Sequence, residues 1–478
     1  MRESIPKPRV GARLPKAVPF ALRAVHAMLR PVSTTNRPRG VAPSSAQPIA
    51  TVGDVGRPSM WASMRATMLS PRLRSVALLQ FSSSLPLGLV WIAIPAWMAR
   101  IGVDIKIIGL FGLAQLPWTV KFLWSPLVDR FSLPFLGRKR SWIFLSQLLL
   151  IALSFWLAHA AATPVAVAVV GALSLATAFA SATQDIAIDA YAVEVLERHE
   201  HGSAVAVRAL FGRVAMLLSG GVAITAAAMT SWRLVHVLLA LCYVPMLFVT
   251  WLAPEPRERP AAPLRLRAAV WEPFVGFFSQ QRAISILAFV VLFKLTDNLT
   301  QSLLRPFFVQ IGFGDWDVGF GTMAVGTIAM VLGTMAGGLL SQSWGLGRAL
   351  WIFGMLQMLS NLGYAVVAQV GANRLALYSA QTLEMGCSGL GTGAFSVLLL
   401  RLTQKRFSAT QYALLSSLMA LTRTLTGPLA GVLVAALGWR DFFILSVPTG
   451  LPALLLLRRF VPWGARDPQF SASSDATG

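Results

Sequence analysis

The sequence predicts an all-α membrane protein with twelve transmembrane helices in two pseudo-symmetric six-helix bundles. Composition, apolar runs and the placement of basic residues each point there. The 478-residue chain is 55% hydrophobic and only 13% charged, with a mean hydropathy of +0.65, whereas ordinary soluble domains are about 25% charged. Apolar stretches of about 20 residues, enough for a helix to cross roughly 30 Å of hydrocarbon, recur along most of the chain. Lys and Arg gather in alternate connections between them.

Twelve runs are predicted, at 75–97, 105–126, 142–161, 164–188, 204–228, 233–252, 283–307, 318–341, 348–369, 374–402, 409–437 and 441–459. Pro86, Pro95, Pro117 and Pro428 fall inside them. Bilayer helices tolerate proline because neighbouring helices and side chains re-satisfy the freed backbone groups. Transmembrane strands would instead show segments of about ten residues with alternating polarity, and these runs are longer and apolar on every face.

The formal charge of +22 does not point to nucleic acid, because of where it lies. Basic residues cluster in the N-terminal arm, at Arg138-Lys139-Arg140, within 257–282, at Lys405-Arg406 and at Arg458-Arg459. By the bias of Lys and Arg toward cytoplasmic loops, both termini are expected in the cytoplasm. Residues 1–74, rich in Arg, Pro and Ser and poor in acids, are expected to form a disordered basic arm. Bundles at 75–252 and 283–460 follow, joined by a cytoplasmic linker at 253–282 and ending in a tail at 461–478. Cys242 and Cys387 both lie inside runs, so no disulfide framework is expected.

The two bundles read as related. Gly109 and Arg138 are 29 residues apart, as are Gly319 and Arg348. Leu136-Gly137-Arg138 recurs as Leu346-Gly347-Arg348 at an offset of 210, which Arg213 and Arg423 share. Two parallel six-helix halves with a site between them near the bilayer midplane form a transporter architecture.

The stretch KFLWSPLVDRFSLPFLGRKRSW (121–142) resembles the signature loop between helices two and three of the major facilitator superfamily, and is similar to the AmpG-type muropeptide permease family. SSLPLG (83–88), PAWM (95–98), TQDIAID (183–189), LFKLTDN (292–298) and FSATQYALLSSLMALTRTLTGPLAG (407–431) carry the same resemblance, which runs from about residue 72 to 460. It implies the major facilitator fold and proton-driven import of anhydro-muropeptides (GlcNAc-anhydroMurNAc peptides from peptidoglycan) across the inner membrane of Gram-negative bacteria. The related acetyl-CoA transporter family also carries a TQDIA-like segment, and Ser84 stands where the muropeptide family's pattern has glycine.

An ionisable group inside a span is a functional candidate by default, since inserting it costs about 2.5–3.5 kcal/mol. Lys294 and Asp297 fall near the middle of the seventh run, Glu384 in the outer-to-middle part of the tenth, Arg213 and Arg423 near mid-depth, and Lys121 lower in the second. Neighbouring carboxylates in an apolar site resist joint ionisation, so Asp297 and Glu384 are the expected proton carriers, followed by Asp189. Arg213, Arg423, Lys121 and Lys294 are the expected positive charges of a substrate cavity. Guanidinium forks suit carboxylates, and muropeptides carry several. Lys294 and Asp297, three apart, can also pair on one helix face.

Asp185 and Asp189, four apart on one face, fall about 30 Å along the fourth run at 1.5 Å per residue, near its inner mouth. With Glu194 they are expected to meet Asp129, Arg130, Arg138, Lys139 and Arg140 and to latch the cytoplasmic side by ion pairs.

No enzyme is expected. The glycines of CSGLGTGAF (387–395) lie inside an apolar run, not between a strand and a helix as a phosphate loop requires, and suit close helix packing. The five histidines show no zinc spacing. Neither metal nor cofactor is expected; the expected partners are a small anionic solute, protons and the lipid bilayer. The alternatives are a carrier of another anion such as acetyl-CoA, and a transport-inactive membrane receptor.

Overall fold

The computed structural model describes residues 70–104, 107, 111–131, 136–161, 167–256, 271–273, 275, 277, 283–314 and 316–468. The expected N-terminal arm up to residue 69, most of the linker and the end of the tail lie outside them. The chain runs through α1 (Pro71–Arg100), α2 (111–130), α3 (Arg138–Ala160), α4 (Val167–Val195), α5 (Arg198–Met229) and α6 (Trp232–Leu252). It continues through α7 (Ala283–Ile311), α8 (Asp317–Ser343), α9 (Leu346–Val370), α10 (Arg374–Leu402), α11 (Ser408–Ser446) and α12 (Leu451–Leu457). Ten stretches among the described residues are long and apolar enough to cross a membrane.

Two runs differ from their expected bounds. The run expected at 105–126 is no continuous helix: 3-10 turns at Phe111–Gln115 and Lys121–Leu123 alternate with α segments at Leu116–Val120 and Ser125–Arg130. Pro117 and Pro126 open those α segments; each lacks the N–H that would continue the preceding turn, yet is at ease in a first turn. The run expected at 441–459 is split. Its first part continues α11, bent at Gly438, whose φ of 77° suits glycine alone, and the rest forms α12. Polar caps start other helices: Ser231 accepts the Leu234 amide of α6 at 3.2 Å and Asn373 the Ala376 amide of α10 at 3.1 Å.

Successive helices alternate in direction, so Pro71, Arg138, Val195 and Ser408 mark one end, here called basal, and Arg100, Trp232 and Arg374 the other, distal end. Distally the cores are separate. Leu89, Trp97, Leu157 and Tyr243 form one among the first six helices, and Phe307, Tyr364 and Phe443 another among the last six. Basally they merge: Ala409 and Ala413 of α11 pack with Ile186 and Tyr191, while Val193 and Val205 join Phe289, Phe353 and Phe395. Here α5 and α8 meet backbone to backbone, because a Cβ on Gly202 would strike the Gly338 carbonyl and one on Gly338 would strike that of Gly202. Small residues are what allow helices to approach this closely. Next to that contact, Ser203 Oγ donates to Gln342 Oε1 at 3.0 Å.

Candidate functional site

In the second half, α7 breaks between Ala283–Phe293 and Leu295–Gln301, and Lys294 stands at the break. Its Nζ donates to Asp297 Oδ2 at 2.8 Å, Thr392 Oγ1 at 2.7 Å and Gln357 Oε1 at 3.3 Å. Ser388 Oγ donates to the same Asp297 Oδ2 at 2.7 Å, while Asp297 Oδ1 is buried without a hydrogen-bond partner. Glu384, Ser388 and Thr392 share one face of α10 through their four-residue spacing. Gln301 Nε2 lies 3.2 Å from Glu384 Oε1 and 3.3 Å from Ser388 Oγ. Tyr364 OH donates to Gln381 Oε1 at 2.8 Å and lies 3.4 Å from Glu384 Oε2. Glu384 is 1% exposed, and among the described residues no Lys or Arg pairs with it. An unpaired charge in such a place is costly, so gaining and losing a proton is the chemistry the position allows.

In the first half, Lys121, on its 3-10 turn, reaches Asp185 Oδ2 at 2.5 Å and Asp189 Oδ2 at 3.3 Å. Arg208 of α5 pairs with Asp189 Oδ1 and donates to Gln80 Oε1 at 2.7 Å. Ser83 Oγ donates to Asp185 Oδ1 at 3.1 Å. Two acids thus meet two bases, and Tyr412 of α11 is close enough to feel all four. The expectation that Asp185 and Asp189 meet the 138–140 segment is corrected. Asp189 lies about one and a half turns and Asp185 about two and a half turns deeper than Glu194, and their face of α4 turns to α1, α2 and α5. Lys121, expected to offer its charge to a substrate, is occupied by these two acids. The sequence reasoning passed over Arg208; its signal was a charge within the same apolar run as Arg213.

At the basal end, Asp129, fully buried, accepts from Lys139 Nζ at 2.5 Å, the Ala409 amide at 3.2 Å, the Thr410 amide at 2.9 Å and Thr410 Oγ1 at 2.7 Å. Glu194 accepts from Arg138 Nη2 at 3.1 Å and Ser408 Oγ at 2.6 Å. Both acids of the first half therefore grip the first turn of α11 in the second, where backbone amides lack helical partners and carry partial positive charge. Arg140 instead ties α3 to the chain after α6, through Glu255 and the Ala253 carbonyl. Arg130 lies over the Phe131 ring at 5.3 Å and makes no ion pair among the described residues.

Arg213 is partly buried, with Nη2 3.5 Å from Met330 Sδ on α8 and no ion pair among the described residues. Arg423 lies in α11, but its side chain is outside the described residues. The structure thus gathers most of the candidates into a second-half network, a first-half cluster and a basal clasp, and leaves Arg130, Arg140 and Arg213 outside them.

The sequence profile of the Major Facilitator Superfamily matches residues 76–427. The anhydromuropeptide permease of Escherichia coli (strain K12) is 39% identical over 401 residues, covering 81% of this chain and 79% of that protein. An AmpG 4 protein of Rickettsia felis is 32% identical over 398 residues, covering 81% and 95%. Among solved structures, the human organic anion transporter MFSD10 (TETRAN) superposes with a TM-score of 0.62 at 16% identity, covering 81% of this chain and 99% of that one. The proton:xylose symporter XylE gives 0.61 at 11%, covering 85% and 98%. Fold and profile together define a membrane transporter of the major facilitator superfamily. Within it, the chain belongs to the AmpG-type muropeptide permease family.

Proposed function

We propose that the protein imports anhydro-muropeptides across a bacterial inner membrane, coupled to protons, by alternating access. The identity to the Escherichia coli permease supports the substrate. The observation that carries the coupling is Glu384, a carboxyl 1% exposed whose ligands are an amide and a phenol, beside the Lys294–Asp297 pair. With both termini in the cytoplasm, the basal end is the cytoplasmic one. Merged cores and the clasp on α11 there, against separate cores distally, support an outward-facing arrangement. The cytoplasmic gate is then Asp129, Glu194, Arg138 and Lys139 on α11, while Asp185 and Asp189 hold Lys121 and Arg208. Arg213, free of ion pairs with the described residues, suits a substrate carboxylate, and Arg423 is its counterpart in the other half.

Uptake of purified anhydro-muropeptide into proteoliposomes under an imposed pH gradient tests this. Accumulation that collapses with the gradient is expected. Binding without uptake would mean a receptor, and stronger competition by acetyl-CoA than by muropeptide would move the substrate to another anion.

A further inference from the structure

We propose that Lys294 is an exchange point: a proton taken up by Asp297 at Oδ1 frees the Lys294 ammonium, which then holds a carboxylate of the transported solute. This rests on the reading of the protein as a proton-coupled carrier of an anion. Asp297 spends Oδ2 on both its donors, Lys294 at 2.8 Å and Ser388 at 2.7 Å, and leaves Oδ1 buried with no partner. A carboxylate oxygen with unused lone pairs accepts a proton without breaking a bond already made.

Once the O–H forms, the contact with Lys294 loses its ion pair and keeps only the hydrogen bond of an ammonium to a neutral acceptor. The other two ligands of Nζ, Thr392 Oγ1 and Gln357 Oε1, are neutral, so the ammonium is left without a counter-ion in a low-dielectric site. Thr392 is partly exposed where Lys294 and Asp297 are buried, so of these three residues it is the one nearest to open space. The charge balance makes this coupling obligatory. Lys⁺ with Asp⁻ is neutral, and so is Lys⁺ with a protonated Asp and one solute carboxylate. A proton alone or a carboxylate alone leaves a buried net charge.

The titratable groups around Asp297 among the described residues are Lys294 on its own helix, Glu384 and Cys387 on α10, and Tyr364 of α9 behind Glu384. Gln301 bridges Glu384 and Ser388, and Ser388 touches Asp297, so the two acids belong to one hydrogen-bonded chain through which Glu384 senses the same proton.

The test has a solute-free arm and a binding arm, both on purified protein in nanodiscs. Without solute, infrared titration should show a protonated-carboxyl band that grows on acidification and disappears in Asp297→Asn. In Lys294→Gln, where the counter-ion is gone, that band should persist at every pH. A wild-type spectrum unaffected by Asp297→Asn would overturn the exchange whatever the solute is.

In the binding arm, wild-type affinity for anhydro-muropeptide should rise about tenfold per unit fall in pH, as one linked proton requires. Asp297→Asn should bind as tightly as acidified wild type with no pH dependence, and Lys294→Gln should bind at least about tenfold more weakly throughout. Asp297→Asn binding no better than Lys294→Gln, or Lys294→Gln keeping the wild-type affinity and slope, would overturn the proposal. Should a single variant misfold, the doubly neutral Lys294→Gln/Asp297→Asn must bind weakly at all pH values. A wild type that binds no muropeptide at any pH, yet shows the infrared band, would refute the substrate and leave the proton step supported.

Discussion

At the scale of single residues, the structure turns on how each buried charge is neutralised. Asp189 is held by Arg208 and Lys121, and Lys121 also serves Asp185. Arg208→Ala should therefore leave two acids sharing one base and lower stability by about 3–5 kcal/mol, read as a fall in thermal unfolding temperature. Glu384→Gln should fold normally, because an amide keeps the shape of the site. Its muropeptide uptake should lose its acceleration by external acid; an unchanged proton dependence would remove Glu384 as a carrier. That Lys121, Lys294, Asp297 and Glu384 are buried was legible, since each is a charge inside an apolar run. Their partners were less so. Lys294 and Asp297 share a helix turn, but Lys121 and Asp185 are 64 residues apart and Asp129 meets Thr410 across 281. Which helix faces which depends on the rotation of each about its axis, and in runs apolar on every face the sequence carries no stripe to set it.

At the scale of elements, runs were legible and their internal breaks were not. The prolines of α2 were visible, but hydropathy averages over the 3-10 turn that carries Lys121, and at Gly438 the apolar pattern crosses a bend without a gap. Glycines that only allow helix packing look the same in sequence as those that hold the two halves together. A methyl added to Gly386 of α10 would meet open space, while one on Gly338 of α8 would run into the Gly202 carbonyl and Val205. Gly338→Val should force α5 and α8 apart and favour the arrangement open at the basal end. Gly386→Ala should be silent. Thiol labelling of a cysteine placed at Ser203, buried beside this contact, should rise several-fold in the first variant alone.

At the scale of the whole molecule, the described residues of the two halves merge their cores and form a clasp at the basal end. Charge distribution alone sets which side of the membrane that end faces, so reporter fusions at residue 460 should fluoresce as a cytoplasmic fusion does and fail as an exported phosphatase. Asp129→Asn removes the negative charge from the tip of α11, a contact worth up to about 2 kcal/mol. That corresponds to a population shift of up to on the order of thirtyfold toward basal opening, measurable by distance distributions between spin labels on the two halves. The two-half architecture was legible from one offset of 210 shared by several residues; the facing state was not, because it resides in contacts between halves.

Asp129 grips the peptide dipoles of α11 and the Lys139 ammonium from a fully buried position. Mobile ions screen exposed charges over about 10 Å at 0.1 M but reach buried ones poorly. Brine should therefore do little to pry the halves apart, and the basal contact should hold across media of very different ionic strength.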